Sequence, residues 1–240
     1  ISDPRGQAPV AQRQPTDPRP TARRGRPSEF PADPATRNLA MVHAVDIVEA
    51  ASGVHSLPPT MSTASATFEL DDQLCPTLAQ LGRNLTALAA SGGIDPVIGR
   101  ETEVDRLLDI LARRRGNNPV LVGPAGVGKT SVVEALALRL VAGGDEVRGL
   151  EDRMLIELSA GALVSGTGVR GALSERLRVL KEEVVRTEGR VILFIDEIHA
   201  VIGGGEGPDD LAHELKAALA RGELPCVGAT TEAEYRKYFE

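Results

Sequence analysis

Tryptophan is absent from this 240-residue chain, and aromatic residues make up only 2% of it. A core so short of rings has to be filled by Leu, Val, Ile and Ala, which a hydrophobic content of 42% can supply. Cysteine is nearly as scarce: Cys75 and Cys226 stand far apart and form no CxxC pair. That excludes a disulfide framework and the spacings of a structural zinc site, and two reduced thiols are expected instead. The longest apolar run that reads as one element covers residues 191–195, far short of the roughly 20 residues that span a bilayer. The first residues hold no apolar signal-peptide core, so the cytoplasm is the expected compartment and no membrane partner is expected. Lysine is the most informative scarcity. Against 23 Arg there are four Lys, and Lys129 is the only one before residue 181.

Proline and charge are unevenly spread. Eight of the sixteen Pro fall before residue 35, among Arg, Ala, Gln and Asp. Such a stretch cannot bury enough apolar surface to offset its ordering entropy, so 1–38 is expected to be a disordered tail. Its Arg cluster, Arg23, Arg24 and Arg26, reads as solvated. Residues 39–76 are expected to be a poorly structured linker with one short helix over 39–51, and 77–240 the folded domain. The tail holds seven Arg against four acids, or +3, so the rest of the chain carries −10 of the net −7. An acidic body offers no general footprint for nucleic acid, and none is expected as a partner.

Organised sequence begins near Thr77. Leu78, Leu81, Leu85 and Leu88 recur at helical spacing up to Gly92 and Gly93, and Val104, Leu107, Leu108 and Leu111 make a second stripe. From Pro119 onward, apolar runs at 119–122, 154–158, 191–195 and 225–229 alternate with helical stripes. The stripes are Val133, Leu136 and Leu140, then Leu173, Leu177, Leu180 and Val184, then Leu211, Leu215 and Leu219. Continuous apolar strands alternating with helices predict an α/β domain with a parallel sheet between helices.

The strongest motif is Gly123-Pro124-Ala125-Gly126-Val127-Gly128-Lys129-Thr130, set directly after a strand and opening a helix. This is GxxxxGK[ST], a phosphate-binding P-loop, which a shuffled sequence of this composition would hold roughly 0.4% of the time. Its glycines let the backbone curl so that N–H groups point inward at phosphate oxygens. The following helix adds the positive end of its dipole. Lys129 would reach the β and γ phosphates of ATP, and the Thr130 hydroxyl would ligate Mg²⁺. A chain that favours Arg has kept Lys where a compact point charge is needed.

The run 191–195 ends in Asp196-Glu197, which places two carboxylates at the carboxyl edge of the sheet, where such folds bind ligands. Asp196 would complete the Mg²⁺ shell, and Glu197 would act as general base on the attacking water. The next run ends in Thr230-Thr231, either of which could place a hydroxyl beside the γ-phosphate or the water.

Taken together, residues 81–140, the run ILFIDEIHAVIGGG and the closing run LKAALARGELPCVGATTEAEYRKYFE resemble the first ATPase module of the Clp-type AAA+ family, the ClpA/ClpB/ClpC group. The resemblance covers about Thr77 to Glu240. It implies ATP hydrolysis with Mg²⁺, catalytic roles for Lys129, Glu197 and Thr231, and adenine packing against Asp95 to Arg100 with Val97 and Ile98 nearest. Thr231 matches the family's sensor position, with Thr230 as the alternative. It also implies a hexameric ring that threads protein substrates through an axial pore.

Three departures from the family stand out. The pore loop of many relatives reads Lys-Tyr-Arg-Gly, whereas this chain has Gly168-Val169-Arg170-Gly171, and Val169 cannot grip as a ring does. Relatives that dismantle contractile secretion sheaths resemble this aliphatic form. Residues 1–76 are too short and Pro-rich for the family's N-terminal substrate-binding domain. The chain also stops before the arginine fingers, last strand and helical lid of relatives. On that reading it is a fragment with weak turnover alone, and residues 119–122 form an exposed sheet edge. An alternative is a nucleotide-binding regulatory or scaffold protein without efficient turnover.

Overall fold

The computed structural model describes residues 39–43 as backbone, together with 68–147, 149–164, 172–203, 218–219 and 221–239. Its strands are β1 (Leu39–His43), β2 (Gly82–Asn84), β3 (Asn118–Val122), β4 (Met154–Ser159), β5 (Val191–Asp196) and β6 (Cys226–Thr230). Its helices are α1 (Pro76–Leu81), α2 (Leu85–Ala90), α3 (Glu101–Leu111), α4 (Lys129–Ala142), α5 (Ala160–Val164), α6 (Ala172–Arg186), α7 (Ile198–Gly203) and α8 (Glu232–Tyr238). The strands form one sheet in the order β1-β3-β6-β5-β4-β2. The four apolar runs are its centre, and they pair in parallel as expected.

Alternation along these strands sends side chains to both faces of the sheet. Leu121, Leu155, Ile192, Phe194 and Val227 join Leu85, Leu107 and Leu136 from α2, α3 and α4 in one core. Ile156, Leu158, Leu193 and Ile195 join Leu78, Leu177, Leu180 and Ile198 in the other. Burying each such side chain contributes about 1.5–3 kcal/mol, so aliphatic layers suffice without a ring-rich core.

Four expectations need correction. The helix over 39–51 is replaced at its start by β1, which pairs in parallel along β3 from Leu39↔Asn118 to His43↔Val122. A short apolar run serves strand or helix equally well by periodicity, and here the hydrogen-bonding edge of β3 decides. For the same reason the edge of β3 is covered rather than exposed. The stripe from Leu78 to Leu88 is two helices, not one, because Gly82 to Asn84 form β2 between them. A Cβ at Gly82 would lie 2.5 Å from Ile156 Cγ2 and 2.6 Å from the Leu78 carbonyl, so the chain crosses β4 where only glycine fits. Asn84 then restarts the helix, its side chain accepting from the Ala87 N–H at 2.9 Å. Finally, the sheet is mixed, since β2 runs antiparallel to β4.

Glu183 of α6 shows how distant sequence fixes α1. Its buried carboxylate accepts from the Thr77 and Leu78 N–H groups at 2.9 and 2.8 Å, satisfying donors that a helix start leaves open. The expected tail 1–38, residues 44–67 of the expected linker and Gly168 to Gly171 lie outside the described residues. So does most of the stripe from Leu211 to Leu219, of which Leu219 is described and buried.

Candidate functional site

Three parallel neighbours, β3, β6 and β5, end side by side. The pairs Val122↔Thr230 and Ile195↔Gly228 set their carboxyl ends nearly level. With strands about 4.8 Å apart, the loop after Val122, the Thr230-Thr231 pair and Asp196-Glu197 share one edge of the sheet. A hydrogen bond from Gly123 N–H to the Thr230 carbonyl, at 3.3 Å, ties the loop's first residue to the adjoining strand end.

The loop itself turns on left-handed glycines, Gly126 at φ 76° and Gly128 at φ 93°. Gly128 is the N-cap of α4 and has no side chain to cap it, so the first-turn N–H groups and the positive dipole end are available to an anion. Lys129 Nζ donates to the Gly123 and Pro124 carbonyls, both at 3.0 Å, which closes the loop upon itself. Gly123 is buried, Pro124, Ala125 and Gly126 are exposed, and Val127, Gly128, Lys129 and Thr130 are half-buried.

Asp196 and Glu197 form the opposing corner. Asp196 Oδ1 accepts from the Glu197 N–H at 2.9 Å. Glu197 is exposed and adopts φ 50°, a left-handed conformation that costs a non-glycine residue about 1–2 kcal/mol. Strain of this kind gathers where a side chain must be aimed. Thr130 and Asp196 offer oxygen donors that suit Mg²⁺, which takes few protein carboxylates and fills its shell from phosphate and water. No cluster of three or more His, Cys, Asp or Glu that could hold a metal ion occurs among the described residues.

The two threonines have different surroundings. Thr230 is 2% exposed, and its hydroxyl lies 3.0 Å from His199 Nδ1 on α7. Thr231 is the N-cap of α8, where its hydroxyl accepts from the Glu234 N–H at 3.3 Å. Val97 is half-buried and Ile98 is 82% exposed, and their segment meets the loop through Arg100, which donates to the Val127 carbonyl at 2.6 Å. Arg100, Glu103 and His199 were not picked out from sequence. Arg100 ends a segment that was, but no spacing announces its contact with a loop 27 residues on. The cysteines take no part: burial pushes the Cys226 thiol up to about 12 and raises that of Cys75 as well.

Residues 119–235 match the model of the ATPase family associated with various cellular activities (AAA). The chaperone protein ClpB of Gloeobacter violaceus is 52% identical over 166 residues, which is 68% of this chain and 19% of that protein. A Clp protease ATP-binding subunit, the ClpA homolog of Porphyra purpurea, is 52% identical over 167 residues, 69% of this chain and 20% of its own length. Among solved structures, the S. cerevisiae Hsp104–ADP complex matches with TM-score 0.60 and 40% identity, over 67% of this chain and 27% of that one. The Hsp104–casein complex in its extended conformation matches with TM-score 0.59 at the same identity. The sheet, its phosphate loop and these likenesses define an AAA+ P-loop ATPase domain. More narrowly, the chain carries a Clp-type AAA+ domain of the ClpA/ClpB kind. It spans about a fifth of the length of the curated relatives it matches. No helix among the described residues is long and apolar enough to cross a membrane.

Proposed function

We propose that this domain binds ATP at the loop from Gly123 to Thr130 and hydrolyses it, driving the remodelling of protein substrates within a hexameric ring. The observation that carries the reading is the shared edge: the loop, Asp196-Glu197 and the two threonines end three adjacent parallel strands. Backbone N–H groups of the loop and the start of α4 bind the phosphates, and Lys129 turns its ammonium to the β and γ oxygens. Thr130 and Asp196 would hold Mg²⁺, which would supply charge neutralisation at the transferred phosphoryl group. Glu197 takes a proton from the water that attacks the γ-phosphorus, and Thr231 orients that water or the phosphate. Val97 and Ile98 lie against the adenine. An Arg reaching in from a neighbouring subunit would add roughly 10³–10⁵ in rate, so turnover by a lone chain is slow.

In the ring, the loop Gly168 to Gly171 lines the pore and contacts the threaded polypeptide. Hsp104 has been captured with casein, and the likeness to it supports a polypeptide client here. Mg²⁺–ATP titrated into the chain and into Lys129→Ala tests the nucleotide site. Saturable binding that Lys129→Ala weakens at least about 10-fold is expected, from the loss of a charged hydrogen-bond donor. Equal binding by both would remove the basis of the proposal.

A further inference from the structure

We infer that Arg100 is a positioning residue for the phosphate loop, anchored by Glu103 and coupling the segment 95–100 to the peptide that precedes Lys129. The inference rests on the reading of that loop as the ATP site. One guanidinium nitrogen, Nη1, donates to Glu103 Oε1 at 2.9 Å, and the other, Nη2, donates to the Val127 carbonyl at 2.6 Å. Glu103 is only 1% exposed, and its second oxygen, Oε2, is buried with no hydrogen-bond partner. A carboxylate taken that far out of water depends on its ion pair, so Glu103 holds the guanidinium as a fixed anchor, not as a loose surface partner. Its helix, α3, shares a core with α4, the helix that the loop opens, through Val104, Leu107, Val133 and Leu136.

The bond to Val127 has a consequence on the other side of the peptide. No peptide bond among the described residues is cis, and across a trans peptide the carbonyl and the next N–H point in opposite directions. Holding the Val127 carbonyl toward Arg100 therefore turns the Gly128 N–H away from it. That N–H belongs to the N-cap of α4, where phosphate oxygens bind. The guanidinium lies so close behind Gly128 that a Cβ there would come within 3.1 Å of Nη2. Glycine at 128 thus serves the fork as well as the left-handed turn. Two bonds in fixed directions require a guanidinium, which the single ammonium of Lys does not replace.

The test compares affinities for Mg²⁺–ATP, ADP and AMP in wild type, Arg100→Ala, Arg100→Lys and the double variant Arg100→Ala with Glu103→Met. Arg100→Ala and Arg100→Lys should each weaken ATP and ADP by about 10-fold or more while AMP, lacking the β and γ phosphates, changes little. The double variant removes the stranded buried carboxylate, so it should regain thermal stability without regaining ATP affinity. Unchanged ATP affinity in Arg100→Ala overturns the inference, as does an equal loss for all three nucleotides. Recovery of ATP affinity in the double variant overturns it too, because the pair would then serve folding alone. If wild type takes up no Mg²⁺–ATP at all, the ATP site itself is refuted and this inference falls with it.

Discussion

Two loops at one sheet edge meet the same backbone demand with opposite residues. The phosphate loop passes through left-handed conformations at Gly126 and Gly128, whereas the corner after β5 passes through one at Glu197. In the first loop the proposed ligand contacts come from backbone N–H groups, and a side chain at Gly128 would crowd Arg100. In the second the proposed chemistry belongs to the side chain, and the backbone accepts strain that glycine would avoid. Glu188, at φ 54° in the turn between α6 and β5, adopts nearly the same conformation at the far, amino end of β5 and serves as a control. Left-handed turns in one protein can thus be permissive, functional or incidental, and the residue type alone separates only the first.

The largest effect should come from Glu197→Gln, which keeps the turn and removes the proposed base. Turnover is expected to fall by about 10²–10⁴ with Mg²⁺–ATP affinity retained, as read by single-turnover phosphate release beside equilibrium titration. Undiminished turnover would detach the corner from catalysis. Gly128→Ala comes next, combining a forbidden turn with the Arg100 contact, and should weaken ATP by about 10-fold. Gly126→Ala should cost less, because a Cβ there meets nothing within 4 Å and only the turn is strained. A larger loss at Gly126 than at Gly128 would break the argument from Arg100. The smallest effects are in stability: Glu197→Gly and Glu188→Gly should each raise the urea midpoint by an amount worth about 1 kcal/mol or less. Only the former should abolish turnover. If Glu188→Gly stabilises and Glu197→Gly does not, the corner is not strained and the comparison fails.

The phosphate loop and the Asp-Glu corner were readable from sequence because each is a continuous stretch whose neighbours fix its setting, a strand before and a helix after. The four central strands were readable for a related reason: buried on both faces, they are apolar without interruption. What escaped depends on partners remote in sequence. Residues 39–43 become a strand only because β3 offers an edge, and Gly82 breaks a helical stripe only because Ile156 lies against it. Arg100 looks like any helix-start cation until the Val127 carbonyl is placed beside it. The choice between Thr230 and Thr231 was open in sequence, and their settings differ through His199 and α8, neither of which leaves a periodic mark.

The pairing of β1 with β3 also sets an order of assembly. A parallel pair cannot be joined by a tight hairpin, and Leu39 leaves the ribosome long before its partner Asn118 exists. During synthesis the first strand must wait without a template, and its docking closes a long loop, which makes it a late and easily reversed event. Its amides should accordingly trade hydrogen for deuterium sooner than those of β5, which has neighbours on both sides, so that the sheet unzips from the flank of the nucleotide loop first.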